Sequence, residues 1–203
     1  MKITRGQMWI ILFNLAYIVP FTLFYLLNKN YEFLWYVLVL LGFVTLIIAT
    51  LYRSRFGVGI LWGLSLWGFL HMAGGGIKVA GDVLYALRLF PFYDGGADFY
   101  ILKYDQVVHL FGFAVATFVV YHLLKPYLND NVRWSVVYLI ILVAGTGFGV
   151  LNEIVEFIAV LVFSETGVGG YYNTSLDLVF NTIGAFLAVL LIHYQRIRKL
   201  QNK

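Results

Sequence analysis

Cysteine is absent from all 203 residues, so disulfides, thiolate metal sites and cysteine nucleophiles are excluded, and the chain carries no mark of a redox compartment. Charge is almost as scarce. Asp, Glu, Lys and Arg together make up 12% of the chain, where a soluble domain has roughly a quarter. Internal repeats, low-complexity tracts and linkers long enough to separate domains are also missing, and no basic patch suits DNA or RNA. What is there is apolar: 62% of residues are hydrophobic and 19% aromatic. This is the composition of an integral membrane protein, with membrane lipids as its surroundings and no nucleic acid as its partner.

A spanning helix needs about 20 mostly apolar residues. Six stretches qualify, at roughly 8–28, 32–52, 57–73, 106–124, 133–163 and 176–194, which predicts an all-α, polytopic membrane helical bundle in a single integral membrane domain, 1–203. The first stretch is too long for a signal peptide and ends in "FYLLNKN" without a small-residue cleavage site, so it reads as a retained helix, with Pro20 as a point of kinking. With the N-terminus cytoplasmic, ten of the 14 Lys and Arg fall on that side: Lys2, Arg5, Arg53, Arg55, Lys125, Arg133, Arg196, Arg198, Lys199 and Lys203. Lys29, Lys78, Arg88 and Lys103 fall outside. That asymmetry and the even number of spans place both termini in the cytoplasm. Trp9, Trp35, Tyr104, Trp134 and Tyr194 sit near span ends, as an aromatic belt would.

Two segments break the simple pattern. The outer loop 74–104 is apolar for a solvent loop and reads as a lid folded back over the bundle. Ala80, Val83, Leu84 and Leu87 have helical spacing, which predicts a short interfacial helix, and "DGG" between apolar flanks signals a hairpin. The fifth span, from Arg133 to Phe163, would reach roughly 46 Å as one helix, against about 30 Å of hydrocarbon. "GTGFG" at its middle predicts a kinked or broken helix there. "VGGYYNTS", at 168–175, reads as an outer turn.

Within that fifth span, "LNEIVEFIAVLVF" keeps Glu153 and Glu156 three positions apart in an otherwise apolar run, with no Lys or Arg in the span after its first residue, Arg133, to neutralise them. The topology gives them company. Asp105 and His109 in "YDQVVHLFGF" start span four, Asp177 and Asn181 in "SLDLVFNTIGA" start span six, and His71 in "GFLHMAGGG" ends span three. All fall toward the outer side. Asp105 with His109, Asn152 with Glu156, and Asp177 with Asn181 are each four apart, so each pair shares one helix face. An ionised acid in hydrocarbon costs at least about 2.5–3.5 kcal/mol, which turns such stripes toward the bundle interior. Gly112 and Gly184 beside them would let helices approach closely. Taken singly, Asp105 and Asp177 also suit N-capping, and His71 suits a packed, hydrogen-bonded role. His122 and His193 fall at the cytoplasmic ends and read as structural.

Four stretches, "LHMAGG", "YDQVVHLFGF", "NEIVEF" and "ETGVGGYYNTSLDLVFNTIGA", resemble the YjdF-like group of prokaryotic inner-membrane proteins, a domain of unknown function, and more distantly the VanZ-like envelope family. The resemblance covers most of residues 60 to 190 and implies a multi-pass protein of the inner (plasma) membrane. Asp105 with His109, Glu153, and Asp177 with Asn181 and Gly184 fit the VanZ-like pattern. Glu156 departs from it, since that family usually has Gln there, and the Arg that often precedes the last motif is lacking.

Two imidazoles and four carboxylates suit a divalent metal such as zinc or manganese. In that reading His71, Asp105, His109 and Asp177 are metal ligands, Asn152 and Asn181 are binding residues, and Glu153 and Glu156 are the catalytic pair, one of them a base for attack on a lipid-linked ester or phosphate. A lipid head group is the other ligand such a site suits. Two alternatives stand beside it: a proton- or cation-coupled transporter, for which a glycine-broken helix would supply ion-binding carbonyls, and a non-catalytic scaffold whose polar cluster holds the helices together.

Overall fold

The computed structural model describes residues 4–96, 99–129 and 131–202. Six long helices carry the chain: α1 (Arg5–Leu27), α2 (Tyr31–Ser54), α3 (Val58–Gly76), α4 (Tyr104–Leu124), α5 (Trp134–Val162) and α6 (Tyr171–Gln201). All six are long and apolar enough to cross a membrane, so the expected six-span, all-α bundle is what forms. Local chemistry sets the boundaries. The Thr4 hydroxyl accepts from the Gln7 N–H at 3.3 Å while the Thr4 N–H donates to Gln7 Oε1 at 3.0 Å, a reciprocal cap that starts α1. Asn30 starts α2 by accepting from the Phe33 N–H at 3.0 Å. Pro20 lies inside α1, which continues through it to Leu27.

The most extensive helix pair is α4 with α6, and α5 packs against both. α3 joins this trio to α1, while α2 packs more lightly and leaves most of its surface to lipid. Two apolar cores result. One is aromatic, built from Tyr17, Tyr25, Phe33, Tyr36 and Met72 with Ala159 of α5. The other gathers Ile141, Val189 and Ile192. α5 runs from the second core at Ile141 to the first at Ala159, so its middle, with Gly145, Gly149 and Glu153 buried, faces the space between them.

The glycine run that predicts a break in span five does something else. α5 is one helix of 29 residues, and its glycines serve packing. A Cβ on Gly145 would stand 2.1 Å from Thr117 Oγ1, and one on Gly149 would stand 2.7 Å from Asn181 Nδ2. Gly147, between them, would meet nothing within 4 Å. Gly184 is as tight as Gly145 and meets backbone, since its Cβ would lie 2.1 Å from the Leu110 carbonyl oxygen. Tight tertiary contact on one face therefore keeps continuous a helix whose glycine content alone would loosen it.

The segment joining α3 to α4 also departs from expectation at its start. Instead of an interfacial helix, β1 (Lys78–Val79) pairs antiparallel with β2 (Asp82–Val83), because Ala80 and Gly81 take left-handed φ values of 53° and 92° and turn the chain back. A 3-10 turn at Leu84–Ala86 follows. The second hairpin falls where "DGG" signals it: β3 (Arg88–Asp94) pairs with β4 (Tyr100–Lys103), with an irregularity between Arg88 and Tyr93 that accommodates Pro91. The turn expected at 168–175 is half helix, since α6 begins at Tyr171.

The two kinds of glycine predict opposite outcomes. Gly184→Ala drives a methyl into the α4 backbone and should cost about 1–3 kcal/mol, whereas Gly147→Ala should be neutral or stabilise by up to about 1 kcal/mol. Unfolding of the two variants in detergent checks this, and equal effects would refute the packing assignment.

Candidate metal centre

The three innermost helices bring their polar stripes to one point, His109. Its ring is buried in α4, and four side chains from three helices surround it. His109 Nε2 lies 3.5 Å from Asp105 Oδ1 and 3.9 Å from Glu156 Oε1. Nδ1 lies 3.0 Å from Asn181 Oδ1 and 3.6 Å from Glu153 Oε1. Asp177 and Asn181 on α6 are fully buried. The α5 and α6 stripes are braced from within: Asn152 donates to Glu156 Oε1 at 2.8 Å, and Asn173 donates to Asp177 Oδ2 at 2.6 Å and more weakly to Asp105 Oδ2 at 3.5 Å. Neither Asp105 nor Asp177 is an N-cap. Lys103 and Gly170 hold those positions.

The hydrogen-bond network orients the imidazole. Asn181 Nδ2 faces Glu153 Oε1 at 3.5 Å and its Oδ1 faces His109 Nδ1 at 3.0 Å; with the amide oriented so, its oxygen accepts from Nδ1–H. That arrangement leaves Nε2 facing Asp105 and Glu156. Outer hydrogen bonds of this kind are what fix the ring of a metal-ligating histidine.

The separations can be set against those of a metal ligand set. Two atoms bound at about 2.1 Å to a tetrahedral zinc stand about 3.4 Å apart, close to the 3.5 Å between Nε2 and Asp105 Oδ1 and longer than an ordinary charge-assisted hydrogen bond. Asp105, His109 and Asp177 offer ligand atoms all within 4.8 Å of one another, and so do His109, Glu153 and Glu156. Among the described residues, the ion pair made by an Arg or Lys is Arg88 with Asp94, so none of these four acids has a cationic side chain other than His109 beside it. Asp177 Oδ1 and Glu153 Oε2 are buried with no hydrogen-bond partner. An unsatisfied buried group costs about 1–3 kcal/mol, and more if charged. The donor set therefore fits a divalent cation in charge, spacing and chemistry.

His71 belongs to the neighbourhood but to neither ligand group. Its Nδ1 is bonded to the Tyr85 hydroxyl, which the 3-10 turn after β2 lowers onto α3. Burial holds the Tyr85 hydroxyl well above its usual pKa, so it meets the imidazole as a neutral O–H. The Tyr85 ring lies flat on Gly74, where a Cβ would clash at 2.5 Å. His71 thus links the segment between α3 and α4 to the wall of a narrow groove that it shares with Asn152 and Glu156.

Three participants escape a reading of the sequence. Asn173 would have been found by extending the i, i+4 series of Asp177 and Asn181 back one turn, had α6 been started at Tyr171. Gln106, buried between Asp105 and His109, accepts from the Leu102 and Lys103 N–H groups at 3.1 Å each and donates to the Tyr100 carbonyl at 3.0 Å, stapling β4 to α4. Glu32 at the start of α2 is buried too; it accepts from the Gly167 N–H at 2.7 Å and from the Tyr36 hydroxyl at 3.3 Å. Their backbone partners leave no mark in one dimension, and only the Glu32–Tyr36 pair, four residues apart, has a spacing that could be read.

Fold and site together define a multi-pass helical membrane protein with a buried His/Asp/Glu group able to hold a metal. Residues 8–198 match the family described as "Predicted membrane protein (DUF2238)", and the chain belongs to that family. Comparison with curated proteins and with solved structures found no match.

The staple gives a test separable from the metal centre. Gln106→Ala should cost about 1–3 kcal/mol through its unmet backbone partners and speed amide exchange at Leu102 and Lys103. Unchanged exchange there would mean that β4 is held by its strand pairing alone.

Proposed function

We propose that the His109 centre binds one divalent cation, zinc or manganese, on the outer side of the inner (plasma) membrane, and that it serves hydrolysis of an ester or phosphate bond in an envelope lipid. The observation that carries this is the pair of buried, unpartnered carboxylate oxygens, Asp177 Oδ1 and Glu153 Oε2, beside an imidazole whose Nε2 stands at ligand spacing from Asp105. Four ionised acids around one histidine would leave net negative charge even with the ring protonated. A cation answers that excess directly.

Asp105, His109 and Asp177 would hold the metal, Glu153 stands on the Nδ1 side of the same ring, and Asn181 and Asn173 keep the ring and the Asp177 carboxylate oriented. When bound, the metal supplies Lewis acidity and a water of lowered pKa. Glu156, its Oε1 fixed by Asn152, is the group free to take that water's proton. His71 acts as a positioning residue through Tyr85 in this scheme, and the segment 74–104 acts as a lid on a single membrane domain. An unbroken α5 removes the freed carbonyls on which an ion-transport reading leaned.

Elemental analysis of the detergent-purified protein tests the proposal. About one zinc or manganese per chain is expected, with at least tenfold loss of affinity in Asp105→Ala and Glu153→Gln variants that still fold. A parent protein that stays metal-free after add-back overturns it and leaves a structural or proton-holding network. The orientation has its own test: a thiol probe should label Gly95→Cys from outside sealed cells, and labelling only from the cytoplasmic side would invert the topology.

A further inference from the structure

A second opening reaches the same centre from the side. Between α5 and α6 lies a cleft of about 410 Å³, with Glu153 and Glu156 at one wall and Ile154, Phe157, Val160 and Leu178 along its length. That volume is in the range of small-molecule sites, about 300–1,000 Å³. The groove on the other side of α5, lined by His71 and Tyr36, is far smaller, about 60 Å³. The larger cleft is flanked by exposed apolar α5 side chains, Val150, Ile154, Phe157 and Leu161 among them, on a helix long and apolar enough to span a membrane, a setting in which its mouth would open into hydrocarbon. Its rim is the stretch 168–170, and Glu32 fixes the approach to that rim by accepting from the Gly167 N–H at 2.7 Å.

Taken together, these features form an amphiphile's negative: an apolar trough open to the bilayer that ends on two carboxylates of a metal-binding group. A bound divalent cation would offer a lipid an open coordination position there, and the lipid group that can fill it is a phosphate oxygen rather than an amine cation. We propose that the α5–α6 cleft receives the acyl chain of a phosphate-bearing membrane lipid and delivers its phosphate to the His109 centre. This rests on the metal reading above. It adds that the substrate enters laterally from the membrane and is selected by a phosphate at the head and a chain in the cleft.

The test is photolabelling of the full-length, metal-loaded protein in detergent with phosphatidic acid carrying a diazirine in its acyl chain, beside the diacylglycerol with the same chains. Peptides of α5 and α6 containing Ile154 and Leu178 should be labelled about tenfold more by phosphatidic acid than by diacylglycerol, the size expected from one charge-assisted contact. A chelator should abolish that preference. Ile154→Trp, which fills the cleft, should keep its metal and lose the labelling, and Leu178→Phe serves the same purpose if the first variant does not fold. Equal labelling by both lipids, or labelling confined to other helices, in a protein that does hold metal overturns this proposal and leaves the metal reading intact. Inorganic phosphate that displaces the probe as well as unlabelled phosphatidic acid does would also overturn it, since recognition would then need no chain. A metal-free parent defeats both readings, and a phosphatidic acid preference that survives the chelator defeats the delivery to a metal.

Discussion

Four carboxylates held at bilayer depth around one imidazole are the constraint from which much of this architecture follows. Asp105, Glu153, Glu156 and Asp177 come from three helices, and each would be expensive to leave facing hydrocarbon. Turning them inward requires α4, α5 and α6 to approach closely at one level. The small residues sit at that level: Gly149 lies against Asn181, and Gly184 lies against the Leu110 carbonyl. Close backbone approach and polar convergence are one requirement seen from two sides. Lipid tails give no hydrophobic push between helices, so close packing and buried polar bonds hold them together, and here both occur in the same trio.

Around that trio, α1, α2 and α3 supply a different kind of order. Their core is aromatic, and glycines again set its spacing, with Phe33 lying over Gly75 and Tyr17 against Gly68. This cluster bears on the metal centre through two buried polar groups at its edge. Glu32 reaches across to Gly167 ahead of α6, and His71 reaches up to Tyr85 in the segment that leads to α4. The periphery thus fixes the two connections whose ends carry Asp105 and Asp177. Each connection enters a helix within a turn or two of its acid, so small shifts in either would move a carboxylate relative to His109.

Much of this is legible in one dimension, for a physical reason. Six apolar runs of spanning length and acids repeated at i, i+4 are periodic signals, and hydrocarbon leaves a chain few ways to satisfy them. Asp105 with His109 and Asp177 with Asn181 could therefore be paired by spacing alone, and the structure brings them together. What is illegible depends on partners distant in sequence. The glycines of "GTGFG" read as a weakness in an isolated helix, and only the presence of Thr117 and Asn181 across the interface turns Gly145 and Gly149 into contact points. The helical spacing of Ala80, Val83, Leu84 and Leu87 is real but is overruled by a tight turn at Ala80 and Gly81. His71 looks like a ligand by type and depth, and the hydroxyl that occupies its Nδ1 comes from Tyr85, on a segment whose fold its own periodicity misstates.

The direction from which the centre is reached separates the chemistries open to it. Above the polar residues, Tyr85 rests on Gly74 and His71, and Gln106 ties β4 down onto the start of α4. Beside them, the cleft between α5 and α6 is broader than the groove behind α5, and its walls are apolar. A site for a freely soluble polar ligand would gain from a wet, open mouth, because transferring such a ligand past Phe157 and Val160 would strip its hydration without replacement. A molecule already dissolved in the bilayer meets no such cost along its chain. It needs polar partners only at its head, and that is where Glu153 and Glu156 stand. The geometry that makes the carboxylates costly to a membrane helix is thus the geometry that suits them to a ligand drawn from the membrane itself.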